Sequence, residues 1–514
     1  MKAATLRSFL AVHTWVGLVA GMALFIAFYA GALTVFSHEL NDWPRPAAGA
    51  AAAEADPAPA AQALLDAVLA RHPRAAESLF LVLAGEHGPV PRLYWYEQGP
   101  GGDVGHLFEP GPGGVPRELP WRNGFVDFLY DLHYTAGLPR TFGTYLFGVV
   151  SILYGLALVS GVVIYAPVFL KDLFALRPGR NPKRLWQDAH NAIGMLSLPF
   201  HVVFAWSGAV LCLGLLLLTP FQYLVFGERL MPLLEQDFEL TPHVEAARVA
   251  APSLPVAALL ARARAASPGL VPDSLSYHDA GDANARVEVY GSQDQRRLNT
   301  LAGVAMEAAT GKVLRVMEPR TMSPGTASMR GLQALHFGNF GHAPVKWLYF
   351  LLGLAGAFLF YSGNLLWVEA RRKRRQPGQP VRTQVMARLT VGVCLGCVAG
   401  VSALFIAARL LPPGQEKYVY YAVFLAALAW ALLRPTARGA YELLLACAGL
   451  TALVPLAGLM GAGGPVAPWS SATIVLVDLF ALLLAWSYWT MARATLRRAR
   501  HGDPNSVWAL PPRA

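Results

Sequence analysis

The sequence predicts an α-helical integral membrane protein: a four-helix bundle built from two parallel repeats, two small outer α+β modules, and four additional C-terminal transmembrane helices. Three observations carry that prediction. Of 514 residues, 55% are hydrophobic and 14% charged, against roughly 25% charged in an average soluble domain. Apolar runs long enough to cross the hydrocarbon, roughly 20 residues each, recur along the chain. The order span, hydrophilic segment, span also occurs twice, with histidines in matching places.

The runs lie near 8–37, 141–166, 189–218, 344–368, 388–411, 418–434, 440–460 and 471–491. The first resembles a signal peptide in its Lys2 and Arg7, but it is about twice the length of a usual signal core, which makes it an uncleaved anchor. Eight spans leave both termini on one side. Lys171, Arg177, Arg180, Lys183, Arg184, the run Arg371 to Arg375, Arg434, Arg438, Arg493, Arg497, Arg498 and Arg500 share that side, whereas the opposing short loops are almost free of basic charge. This positive-inside asymmetry places both termini in the cytoplasm. It also accounts for the net charge of +10 without any nucleic-acid partner.

The chain therefore divides into a first span (1–37), an outer module (38–138), two spans with their cytoplasmic loop (139–218), a second outer module (219–340), a fourth span (341–375) and an appended four-helix unit (376–514). Each outer segment opens on Pro/Ala-rich linker and continues as one amphipathic helix, near 59–71 and 254–266. Short strands follow, among them Leu79–Leu83, Leu93–Tyr96, Arg286–Tyr290 and Gly303–Glu307. Thr310-Gly311-Lys312 between two strand-like runs reads as a hairpin turn.

His13-x-x-x-Gly17 in the first span matches His190-x-x-x-Gly194 in the third, and Gly31 matches Gly208. Leu132-His133 and Ser160-Gly161 match Leu335-His336 and Ser362-Gly363 around the second and fourth spans. Parallel repeats imply a pseudo-twofold axis along the membrane normal. Such an axis brings His13 to His190 near the cytoplasmic end and His133 to His336 near the outer end. Intramembrane imidazoles are costly without partners and mark functional sites. Two facing imidazoles beside small residues suit axial ligation of b-type haem between helices. On one continuous helix His201 falls roughly 20° beyond three turns from His190, with a rise of roughly 16 Å. His201 is therefore a third candidate for an outer haem, and His133, His201 and His336 all stay open there. The cysteine and carboxylate ligands of a closed zinc site are missing at these depths.

Cys212, Cys394, Cys397 and Cys447 all lie in apolar runs and form no disulfide framework. His38 and His342 fall at the outer interface. Asp478 lies deep enough to relay protons, and Glu442 lies close enough to a cytoplasmic end to reach water.

With these motifs in view, the chain resembles the PepSY-associated transmembrane helix family over about residues 5–375. The matching segments are His13-Thr14-Trp15-Val16-Gly17, Leu132-His133, His190-Asn191-Ala192-Ile193-Gly194 and Leu335-His336-Phe337-Gly338. The two outer modules resemble PepSY domains. The resemblance implies a multi-pass protein of the bacterial inner membrane carrying two haems b. It further implies a ferric-siderophore reductase that passes electrons to a periplasmic Fe(III) chelate and releases Fe(II). No loop on the cytoplasmic side is long enough for a nicotinamide- or flavin-binding unit. The electron donor is then a quinol or a separate reductase. Tyr94, Trp95, Tyr96, Arg320 and Arg330 are candidate docking groups for the chelate. The competing expectations are a proton- or metal-coupled transporter working through the same histidines, and an assembly protein whose outer modules bind peptides.

Overall fold

The computed structural model describes residues 3–41, 43–44, 56–85, 88, 90–99, 102–121, 124–169, 182–233, 240–241, 244–294, 297–371, 379–461, 464–465 and 472–510. Lys2, Lys171, Arg177, Arg180, Arg372, Lys373, Arg374 and Arg375, which carry part of the topology argument, lie outside the described residues.

In chain order the principal elements begin with α1 (Ala3–Thr34), α2 (Ser37–Asn41), α3 (Ala58–Arg71), β1 (Ser78–Val82), β2 (Arg92–Gly99), β3 (Gly102–Pro110) and β4 (Pro116–Leu119). Then come α4 (Gly124–Thr135), α5 (Arg140–Tyr165), α6 (Pro182–Leu196), α7 (Leu198–Leu224) and α8 (Val256–Ala266). β5 (Val271–His278), β6 (Arg286–Ser292), β7 (Leu301–Glu307), β8 (Val313–Met317) and α9 (Pro324–Phe337) follow. The chain closes with α10 (His342–Ala370), α11 (Val381–Leu410), α12 (Glu416–Leu433), α13 (Thr436–Gly458) and α14 (Ala472–His501).

Among the described residues, α1, α5, α7, α10, α11, α12, α13 and α14 are long and apolar enough to cross a bilayer, eight helices in all. This is a multi-pass membrane protein. The chain forms two compact units, one made of residues 1–46, 123–214 and 346–514, the other of residues 47–122 and 215–345.

In the helical unit α11 is the most enclosed span. Its small residues Gly392, Gly396 and Gly400 let α12 approach: a Cβ at Gly400 would come within 2.8 Å of the Tyr420 ring. Helix α4 belongs to this unit. Its apolar face, Phe125, Phe128, Leu129 and Leu132, is buried in the same core as α1 and α11. Fully burying each such side chain contributes roughly 1.5–3 kcal/mol, more than a polar linker there could supply.

The third span also differs from expectation. The run over 189–218 is two helices, with Ser197 between α6 and α7. Pro199 has no N–H to donate, yet Ser197 N–H still bonds Ile193 O at 3.0 Å and His201 N–H bonds Ser197 O at 3.0 Å. The interruption is local.

The second unit is one eight-stranded antiparallel sheet in the order β4-β3-β2-β1-β5-β6-β7-β8. The segments expected as two modules contribute four strands each, and they join edge to edge through β1 and β5, where Phe80 faces Ser276 and Leu81 faces Leu275. Alternation dictates the faces: Leu79 and Leu81, Leu93 and Trp95, and Val287 and Val289 point into a single core with Leu64 and Val68 of α3 and Leu259 of α8. The Gln62 side chain accepts from Val256 N–H at 2.7 Å, tying α8 to α3. Gly311, at φ +69°, makes the β7–β8 turn as the sequence predicts.

Candidate functional site: a pair of histidines held by a repeated Ser-Gly motif

His13 lies on α1 and His190 on α6, and their rings meet with centroids 6.2 Å apart and planes 80° to each other. Both are fixed in the same way. His13 Nδ1–H donates to Ala157 O on α5 at 2.9 Å, and His190 Nδ1–H donates to Leu359 O on α10 at 3.1 Å. Ser160 Oγ lies 3.4 Å from His13 Nδ1 and Ser362 Oγ lies 3.5 Å from His190 Nδ1. The glycine after each serine completes the seat. A Cβ at Gly161 would come within 3.1 Å of His13 Cε1, and a Cβ at Gly363 within 3.1 Å of His190 Cε1. The bare backbone lets each imidazole lie on the facing helix and reach a carbonyl one turn back.

A carbonyl on Nδ1–H sets the tautomer and leaves the Nε2 lone pair as the ligating position. The hydrogen bonds of both rings run through Nδ1. Imidazole nitrogens bind metals at about 2.0–2.1 Å, so two rings on opposite sides of one metal have centroids roughly 6.4 Å apart. The observed 6.2 Å fits that requirement. Among the described residues no group of three or more His, Cys, Asp or Glu side chains forms a metal cluster. Gly17, one turn from His13, has open space where its Cβ would be.

The other three histidines are placed differently. His133 Nδ1–H donates to Ala27 O at 2.8 Å, and Gly31 makes room for it, since a Cβ there would lie 2.5 Å from Nδ1. His336 is near the end of α9 in the sheet unit, with the Phe337 ring 5.3 Å away. His201 departs from the expected ligand role. It is 0% exposed, its Nδ1 is hydrogen-bonded to the Tyr154 hydroxyl, and its Nε2 is bonded to Ser197 Oγ at 3.0 Å. Both ring nitrogens are engaged, so no lone pair remains for iron in this arrangement. Phe28, Phe200 and Tyr154 ring it at 5.8–6.0 Å.

The proposed docking aromatics divide. Trp95 is 1% exposed and stacks on His106 and Phe108, and is therefore a core residue. Tyr94 and Tyr96 lie on the opposite face against Trp121, at 5.5 and 4.8 Å, and Tyr96 is 51% exposed. Burial, then the nearby Tyr96, pushes the Tyr94 hydroxyl above the usual phenol range. Arg320 bonds Asp294 and Arg330 bonds Gln333. Glu442 is held by Arg434, Arg438 and the Trp430 N–H. The four cysteines are free thiols. Sequence reasoning paired Ser160-Gly161 with Ser362-Gly363 without assigning them the imidazole seat. It missed Tyr154, whose signal was a lone tyrosine inside an apolar run.

Residues 10–370 match the family model described as PepSY-associated TM region. The chain belongs to the PepSY-associated transmembrane family. The match covers every histidine described above and stops before α11. The protein is also similar to an uncharacterized protein of Pseudomonas aeruginosa, 29% identical over 379 residues, covering 67% of this chain and 87% of that one. The family match spans the repeated helices and the eight-stranded sheet, and includes the paired histidines.

Proposed function

We propose that this chain is a haem-b transmembrane oxidoreductase of the bacterial inner membrane, with both termini in the cytoplasm. In this reading it passes electrons from the cytoplasmic side or the quinol pool to a periplasmic ferric chelate of the siderophore class, releasing Fe(II). The carrying observation is the His13–His190 pair, held at bis-imidazole spacing by two copies of one seat.

His13 and His190 would hold one haem b, and the repeat favours His133 over His201 as a ligand of a second. The group, when bound, supplies one-electron Fe(III)/Fe(II) chemistry. The chain does the rest. Ala157 and Leu359 orient the rings and raise their basicity as ligands through Nδ1–H. Phe28, Tyr154, Phe200 and Phe360 pack the bundle around His201 and keep water from it. The exposed Tyr96 beside Trp121 offers an aromatic surface to a chelate.

The transporter reading would gain from a helix broken across several residues at mid-membrane. The interruption at Ser197 is one residue long with helical bonds on both sides, which favours a rigid bundle.

The deciding experiment is a visible absorption spectrum of the purified full-length protein. Sharp reduced-state bands of low-spin bis-histidine haem, at two haems per chain, support the reading. A folded, colourless preparation from haem-replete cells overturns it.

A further inference from the structure

Where α7 ends, the chain folds back and leaves a groove. α7 has 27 residues and is roughly 40 Å long, about 10 Å more than the hydrocarbon requires. The apolar run of this span ends near residue 218. The last turns of α7 and the residues after them therefore leave the hydrocarbon for the headgroup layer of one leaflet. Yet Phe221, Tyr223, Leu224, Val225, Phe226 and Leu233 are exposed there, Leu224 at 84%. Exposed aromatic and apolar side chains at that depth form the interfacial belt of a membrane protein.

The fold-back is held by its own bonds. Gly227 at φ +51° and Glu228 at φ +68° reverse the chain, a left-handed pair to which glycine brings no steric penalty. Gln222 clamps the two arms: its Nε2–H donates to Glu228 O at 2.9 Å and its Oε1 accepts from Met231 N–H at 3.0 Å. One helical turn over 230–233 follows, with Leu230 buried and Leu233 exposed. Val225, Phe226, Arg229, Pro232 and Leu233 line a groove of about 460 Å³. Arg229 is its one charged wall. The Arg229 Nε–H donates to Phe226 O at 3.4 Å, and among the described residues the guanidinium makes no ion pair. Arg140, at the start of α5, is by contrast tied to Asp131 at 3.1 Å.

An apolar groove with one guanidinium at headgroup depth suits an anionic amphiphile. A phosphate accepts from the planar fork, and acyl chains cover Val225, Phe226 and Leu233 and continue onto the lipid-facing surface of α7. A soluble anion leaves those walls bare. A zwitterionic lipid offers the same phosphate but brings a cation toward Arg229. We propose that this groove is a binding site for an anionic phospholipid, its phosphate on Arg229. The site is independent of haem, and the oxidoreductase reading stands or falls without it.

The test is site-specific photocross-linking. Full-length protein carrying Phe226→p-benzoylphenylalanine is placed in nanodiscs of equimolar phosphatidylglycerol and phosphatidylcholine, irradiated, and the adducts are identified by mass spectrometry. Phosphatidylglycerol adducts should exceed phosphatidylcholine adducts about fivefold, the factor produced by about 1 kcal/mol per interfacial Lys or Arg. Arg229→Ala should return the ratio to one. Gln222→Ala, which releases the clamp and leaves the charge, should lower it as well. Arg140→Ala should leave it unchanged. Gel filtration reports whether each variant is folded. Equal adducts in the wild type, the signature of ordinary bulk lipid, overturn the proposal. So does a polypeptide adduct in place of lipid, or an undiminished preference in folded Arg229→Ala or Gln222→Ala.

Discussion

Ser160 and Ser362 occupy the same position relative to two different histidines: each hydroxyl lies within 3.5 Å of an imidazole Nδ1, His13 for one and His190 for the other. Each serine also donates to the carbonyl that receives the ring, Ala157 O at 3.0 Å and Leu359 O at 2.9 Å. Two copies of one device, built by residues about two hundred positions apart, seat His13 and His190 in the same way. His13→Ala and His190→Ala should therefore each remove the same haem, with equal loss of low-spin absorbance. If one substitution empties the site and the other leaves the spectrum intact, the pairing fails.

His201 and His133 should separate cleanly. With both nitrogens of His201 bonded inside the bundle, His201→Ala should keep two haems. It should lower stability by about 1–3 kcal/mol, because Tyr154 and Ser197 lose a buried partner. His133→Ala should lose the outer haem. Pyridine haemochrome assay alongside thermal unfolding of both variants decides it, and loss of a haem in His201→Ala with His133→Ala unaffected would reverse the assignment.

Hydropathy and motif matching make the spans, the repeat and the His13–His190 pair legible, because an apolar run must satisfy its own backbone in lipid and has few alternatives to a helix. Other features depend on contacts that no local pattern encodes. The β1–β5 junction joins strands from distant segments, so the outer parts read as two modules although they share one core. The His201 phase argument assumes a continuous helix and overlooks Tyr154, which reaches the ring from α5. Arg409 falls within an apolar run, where its burial over Trp43 depends on a residue in another part of the chain.

The junction has an energetic consequence. Leu81 and Leu275 face each other across it, both fully buried. Leu81→Ala should cost about 2–5 kcal/mol and should raise hydrogen exchange in β5 and β6 as well as in β1 and β2. Exchange confined to β1 and β2 would mean that the halves unfold independently.

Acid should loosen one defined loop. Asp282 accepts from the N–H groups of Asn284, Ala247 and Val249 at 2.8–3.1 Å, and these bonds, that from Asn284 foremost, hold its carboxyl below the usual range. A depressed carboxyl stabilises the fold above its ordinary pKa and loses that contribution as pH falls through the lowered value. Amide exchange at Ala247 and Val249 should accelerate below the ordinary aspartate range in the wild type. In Asp282→Asn it should be fast already at neutral pH. Equal exchange in the two proteins at neutral pH would show that the carboxylate does not hold the loop.

Gly17 provides a test of the cofactor that leaves the histidines untouched. Beyond its own helix backbone and chain neighbours, no atom lies within 4 Å of where its Cβ would be, whereas Gly31 and Gly161 are pressed against His133 and His13. On packing alone Gly17→Leu should be harmless and Gly161→Leu disruptive, because only the second drives a side chain into an imidazole. A macrocycle seated between His13 and His190 changes the first expectation, since the space one turn along α1 is where its edge would pass. Gly17→Leu should then fold with wild-type thermal stability in the haem-free form and take up the inner haem at least tenfold more weakly in a hemin titration. Retention of full haem affinity by a folded Gly17→Leu protein would place the macrocycle elsewhere and remove the repeated His-x-x-x-Gly spacing from the argument for the site.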